Sequence, residues 1–127
     1  MTNPVNPKPS SRTHAAVSFT TAADGISEEV NITGLTLCCV QMSTAWTSAK
    51  LGFEASIDGS TNFYPVRDVD GNFLFTLTSA SRIVTFDPAQ FNGLQKLRLT
   101  SQTSNGTQIA QTEPRTLILG LAEGRKI

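Results

Sequence analysis

The sequence predicts an all-β protein, an antiparallel β-sandwich of jelly-roll-like form with about eight strands and an extended N-terminal arm. Three observations carry that expectation. Apolar side chains recur at alternate positions in short runs, Gly- and Asp-containing turn signals recur about every 8–12 residues, and no stretch sustains a 3.6-residue period. Of the 127 residues 39% are hydrophobic and only 16% charged, with Thr, Ser and Gly abundant, which favours half-buried strands over amphipathic helices. A domain of this length buries roughly two-thirds of the surface its unfolded chain exposes, enough for a core without metal or disulfide staples.

Residues 1–13 form a flexible arm, because Pro4, Pro7 and Pro9 fix φ and remove backbone donors while little apolar surface is available to bury. Such a segment is either a frayed terminus or an arm that orders along a neighbouring subunit. The sandwich spans residues 14–122, and 123–127 form a short tail. Ala15 to Thr20 is the first strand, closed by Asp24-Gly25. Ile26 to Ile32 alternates weakly and reads as an edge strand, where Glu28 and Glu29 discourage sheet-to-sheet pairing. Leu35 to Met42 carries Leu35, Leu37 and Cys39 on one face and Cys38, Val40 and Met42 on the other, so it is either central or turned toward a partner.

Leu51 to Ile57 shows the cleanest alternation, with Leu51, Phe53, Ala55 and Ile57 set against Gly52, Glu54 and Ser56. Asp58-Gly59-Ser60-Thr61 turns the chain, Phe63 to Asp68 returns it, and Asp70-Gly71 makes the next turn. Phe73 to Thr78 places Phe73, Phe75 and Leu77 on one face, and Ile83 to Phe86 is short. Asp87-Pro88 to Gly93 is a loop with one helical turn, in which Phe91 serves as a plug. Leu97 and Leu99 mark a further strand, Asn105-Gly106 a turn, and Thr116 to Leu121 closes the sheet with Leu117, Leu119 and Leu121 facing one way.

The residues offer little for catalysis, and no enzymatic activity, cofactor or metal is expected. His14 is the one histidine, so a His/Cys metal cluster or a Ser-His-Asp triad is hard to build. Cys38 and Cys39 point to opposite faces of a strand and read as buried thiols rather than as a nucleophile served by His14. Glu54 and Asp58 read as solvent-facing polarity and turn chemistry rather than as an acid–base pair. Asp68, Asp70 and Asn72 resemble a calcium loop only in part, since the glycine falls too early and no Glu closes it. A tight hairpin is the better account.

Ten basic and ten acidic side chains cancel, which removes the basic excess that nucleic-acid binding needs. No apolar run approaches the roughly 20 residues of a membrane span, and the N-terminal residues have no signal-peptide pattern. With no disulfide framework, assembly in a reducing cytoplasm is expected. Two aromatic residues stand outside the core pattern. Trp46 sits in a small-residue loop and is either a lid over the core or a contact residue, and Tyr64 is the other candidate for stacking or docking.

Several motifs carry a resemblance. They are the Trp46-Thr47 loop, Leu51-x-Phe53-x-Ala55-Ser56, the Asp58-Gly59 turn and the aromatic return at Phe63-Tyr64. They continue in Asp70-Gly71-Asn72, Ser81-Arg82-Ile83, Asp87-Pro88-Ala89-x-Phe91-x-Gly93, Leu97-Arg98-Leu99-x-Ser101, Gln111 and Arg115-Thr116-Leu117. Together they cover residues 43–120, and the chain resembles a group of small virion-associated proteins of tailed phages. It departs from their Arg-Ser-Gly-Thr segment, with Arg98-Leu99-Thr100-Ser101-Gln102-Thr103 in its place.

The resemblance implies a β-sandwich carried on the virion as a head decoration or cement protein. In that role the expected partner is the lattice of the major capsid protein, with copies of the chain meeting as a homo-oligomer, dimer or trimer, about a symmetry axis. The alternative is a carbohydrate-binding or tail/baseplate adhesion module, with a host-surface glycan as ligand. Residues expected at partner contacts are Pro4, Pro7, Lys8, Pro9 and Arg12 in the arm, Val40 and Met42 on the two-sided strand, and Trp46 and Tyr64.

Overall fold

The computed structural model describes residues 12–20 and 25–123. The strands are β1 (Arg12–Phe19), β2 (Ile26–Asn31), β3 (Leu35–Gln41), β4 (Lys50–Ser56), β5 (Tyr64–Pro65), β6 (Phe75–Thr76), β7 (Ile83–Thr85), β8 (Lys96–Gln102) and β9 (Arg115–Glu123). All pairings are antiparallel, in the order β5-β4-β8-β2-β1-β9-β3-β7, with β6 also on β4. This ladder folds over at β1 and β2, which share the single register pair Phe19↔Ser27. The result is an all-β sandwich, one layer built on β1, β9, β3 and β7 and the other on β2, β8 and β4.

Alternation explains the core. Leu51, Phe53 and Ala55 of β4 and Leu97 and Leu99 of β8 face Leu117, Leu119 and Leu121 of β9 and Val17 and Phe19 of β1, all buried. Phe53 meets the rings of Phe86 and Phe91 edge-on, with centroids 5.3 and 5.0 Å away, which ties the layers together. Phe91 is the expected plug. It is fully buried at the end of a 3-10 turn, Pro88–Phe91, whose first free N–H, that of Ala89, donates to the Asp87 carboxylate.

Three expectations need correction. The first strand starts at Arg12 rather than Ala15, because its ladder with β9 runs from Phe19↔Arg115 to Arg12↔Ala122 and takes in residues assigned to the arm. β2 is not an edge: it lies between β8 and β1, where Glu29 pairs with Lys96 and Glu28 accepts the Ser18 N–H. β3 does not have two apolar faces, since a bulge between Leu37 and Cys39 inserts one residue and reverses the parity, turning Leu37, Val40 and Met42 all inward. Val40 and Met42 are therefore core side chains and present no contact surface. Of the face expected to hold Phe73, Phe75 and Leu77, Phe75 and Leu77 look outward, and the neighbouring Leu74 packs on the core.

Candidate functional site

Pro4, Pro7, Lys8 and Pro9 lie outside the described residues, as does the side chain of Arg12, whose backbone pairs with Ala122. Trp46 is a lid. Its ring meets Phe19 edge-on at 5.4 Å, and its indole N–H donates to the Ala49 carbonyl at 3.1 Å. Tyr64 is the predicted contact residue that stands in solvent, 69% exposed. The two aromatics flank opposite ends of β4, since Trp46 precedes Lys50 and Tyr64 pairs with Ala55. Trp46 is packed on Phe19 while Tyr64 stands in solvent at the other end of the strand, so the two do not form one exposed stacking platform.

The reactive groups are occupied or dispersed. Glu54 is held by Arg98, whose NH2 lies 2.6 Å from its Oε1, and the Arg98 guanidinium lies over the Phe63 ring. Cys38 is pushed up in pKa by burial and then by the neighbouring Cys39 thiol, which disfavours the thiolate a nucleophile requires. Among the described residues no three His, Cys, Asp or Glu side chains gather as a metal site would require. Asp68 Oδ1 accepts the N–H groups of Asp70 and Asn72, closing a hairpin whose stems meet at Arg67↔Phe73. Phe73 is sandwiched between the Arg67 guanidinium and Gly106, which holds φ at 83°.

Two surface features remain. The first is a strip of chain, residues 75–83, that crosses from β6 at one layer's margin to β7 at the other's. Leu77 is 73%, Ile83 63% and Phe75 36% exposed on it, with Thr78, Ser79, Ser81 and Arg82 between Leu77 and Ile83 in sequence. β7 ends the strand order, so its outer backbone groups have no ladder partner among the described residues.

The second is a cleft of about 340 Å³ at the β4–β5 end of the sandwich. Ala55, Val66 and Leu94, which belong to or pack on the core, form its apolar base, and Tyr64, Asp58 and Asn62 stand around it. The turn builds the polar side. Asp58 Oδ1 accepts the Ser60 N–H and the Ser56 hydroxyl, each at 3.0 Å, while Gly59 supplies the positive φ of 77°. These bonds, the Ser60 backbone N–H first, hold the Asp58 carboxyl below the ordinary aspartate range.

Neither feature was read from the sequence as a site. Alternation reports two faces of a strand without saying which is buried, so it does not reveal the exposure of Phe75 and Leu77. The polar step from Leu77 to Thr78-Ser79 was the available hint. The cleft joins residues of β4, a turn, β5 and the distant Leu94, and of these Tyr64 stood out as a contact residue and Asp58 as turn chemistry.

No protein-family model and no curated protein matches the chain. Among solved structures it is similar to the SPBc2 prophage-derived protein YomS, with a TM-score of 0.50 and 20% identity over 94% of this chain and 98% of that one. At that identity the likeness is one of fold. A carbohydrate-binding module, CBM32-1 from a family 31 glycoside hydrolase of Clostridium perfringens, superposes more loosely, with a TM-score of 0.42 and 16% identity over 88% of this chain and 80% of that one.

Proposed function

We propose that this chain is a non-catalytic structural protein of a tailed-phage particle, docking on the major capsid protein lattice to decorate or cement the head. The exposed apolar side chains of the 75–83 crossing, Phe75, Leu77 and Ile83, carry this reading. An isolated apolar side chain on a surface needs no partner, but three on one crossing that leads into a strand with an unpaired edge suit one. A lattice protein can bury these side chains and pair with the free backbone of β7, and many copies on a repeating surface turn weak single contacts into stable attachment. Copies meet one another as dimers or trimers about the lattice symmetry axes. A fold shared with a prophage-derived protein agrees with a phage origin.

The test is Leu77→Asp. The side chain is largely solvated, so the variant stays folded, while a charge forced into a buried contact weakens docking. A contact residue of this kind is worth about 2 kcal/mol or more, so affinity for capsids falls roughly 30-fold. Unchanged occupancy on particles would remove the strip from the docking surface. Copy number separates head from tail: hundreds per particle fit a capsid lattice, and a handful fits a tail or baseplate.

A further inference from the structure

The cleft beside Tyr64 makes no part of that docking strip. β5 pairs with Glu54 and Ala55 at one end of β4, whereas β6 pairs with Leu51 and Gly52 at the other. We infer that the cleft is a binding site for a neutral sugar, seated with one ring face against Tyr64. A pyranose has an apolar C–H face and a rim of hydroxyls. It therefore needs an exposed aromatic face beside planar groups that accept and donate hydrogen bonds.

The cleft supplies both. Tyr64 and Ile57 line the cleft and are 69% and 70% exposed, so an aromatic ring and an aliphatic side chain are both open to a ligand there. Asp58 takes its turn donors, the Ser60 N–H and the Ser56 hydroxyl, at Oδ1, and as an exposed carboxylate it keeps further acceptor capacity toward the cleft. Asn62 donates its backbone N–H to the Ser60 hydroxyl, and its carboxamide has no partner among the described residues. An acceptor-only carboxylate beside an amide that both donates and accepts suits a pair of neighbouring hydroxyls.

Asp58 is also oriented in advance by its turn hydrogen bonds, so its side chain loses little freedom on binding. At about 340 Å³ the cleft lies at the small end of ligand sites and holds a single sugar ring or a disaccharide. Its lining holds the Asp58 carboxylate and no Lys, Arg or His. Like-charge repulsion without a compensating cation therefore selects against acidic sugars.

The experiment uses the intact chain, titrated separately with glucose, galactose, mannose, N-acetylglucosamine and sialic acid at up to tens of millimolar and followed by amide NMR. At least one neutral sugar is expected to shift the amides of Ser60, Asn62 and Tyr64, with a Kd in the millimolar range. Tyr64→Ala abolishes those shifts, and Tyr64→Trp, which keeps a stacking face, retains them. Because Tyr64 is largely solvated, both variants keep the dispersed spectrum of the folded chain and their occupancy on particles, so losing the sugar site leaves the docking proposal standing. Silence from all four neutral sugars, shifts with sialic acid alone, or undiminished binding by Tyr64→Ala would overturn the assignment.

Discussion

Asp58 shows how one side chain shapes both a turn and a site. Its carboxylate caps the turn after β4 by accepting the Ser60 N–H, and the same bonds lower its pKa by favouring the charged form. The sign of the linkage follows from that direction. A folded-state pKa below the unfolded one contributes stability that is present above the ordinary value of 3.8 and is lost as pH falls through the lowered value. Carbon-detected NMR titration of the Asp58 carboxyl is expected to give a midpoint below 3.8, with the Ser60 amide proton moving at the same midpoint. A midpoint at or above that value would show that the turn does not hold the carboxylate. Tyr64 and Leu77 act at the same scale by their exposure alone, and their substitutions separate sugar binding from docking.

At the scale of elements, the loop before β4 is held by a buried amide. Gln111, 2% exposed, accepts the Thr47 N–H at 2.7 Å and donates from Nε2 to the Thr47 carbonyl and the Ser101 hydroxyl. Arg115 adds a further donor to its Oε1 at 3.2 Å. The loop carrying the Trp46 lid is thereby joined to β8 and β9. Gln111→Leu strands several of these partners and is expected to cost about 2–4 kcal/mol in urea unfolding, with the Trp46 fluorescence shifted toward that of a solvated indole. A loss under about 0.5 kcal/mol would mean the loop is held by packing alone.

Strand existence was legible wherever apolar and polar residues alternate, as in Leu51 to Ala55 and Leu117 to Leu121. Three things were not. A bulge in β3 reverses parity by one residue and leaves no mark in composition, so Val40 and Met42 were put on the wrong face. The exposure of Phe75 and Leu77 depends on which side of β6 meets the other layer, which no local pattern encodes. Ile57 falls one residue past the end of β4, where alternation continues in sequence but the ladder has stopped.

For the molecule as a whole, a two-layer sandwich with a filled core displays surfaces, among them the exposed apolar side chains of the 75–83 crossing and a cleft beside Tyr64 at one end. Polar groups inside are satisfied, with no buried side-chain N or O left unpartnered among the described residues. A scaffold of this kind holds its surface residues in fixed relative positions, which repeated docking on a lattice requires. The most direct measurement is a cryo-electron microscopy reconstruction of the phage particle carrying this chain. The expected map shows the sandwich in many symmetry-related copies on the capsid exterior, with Phe75, Leu77 and Ile83 against the shell and Tyr64 turned to solvent. A head bare of the domain, or a domain whose 75–83 strip faces away from every neighbour, would contradict the account.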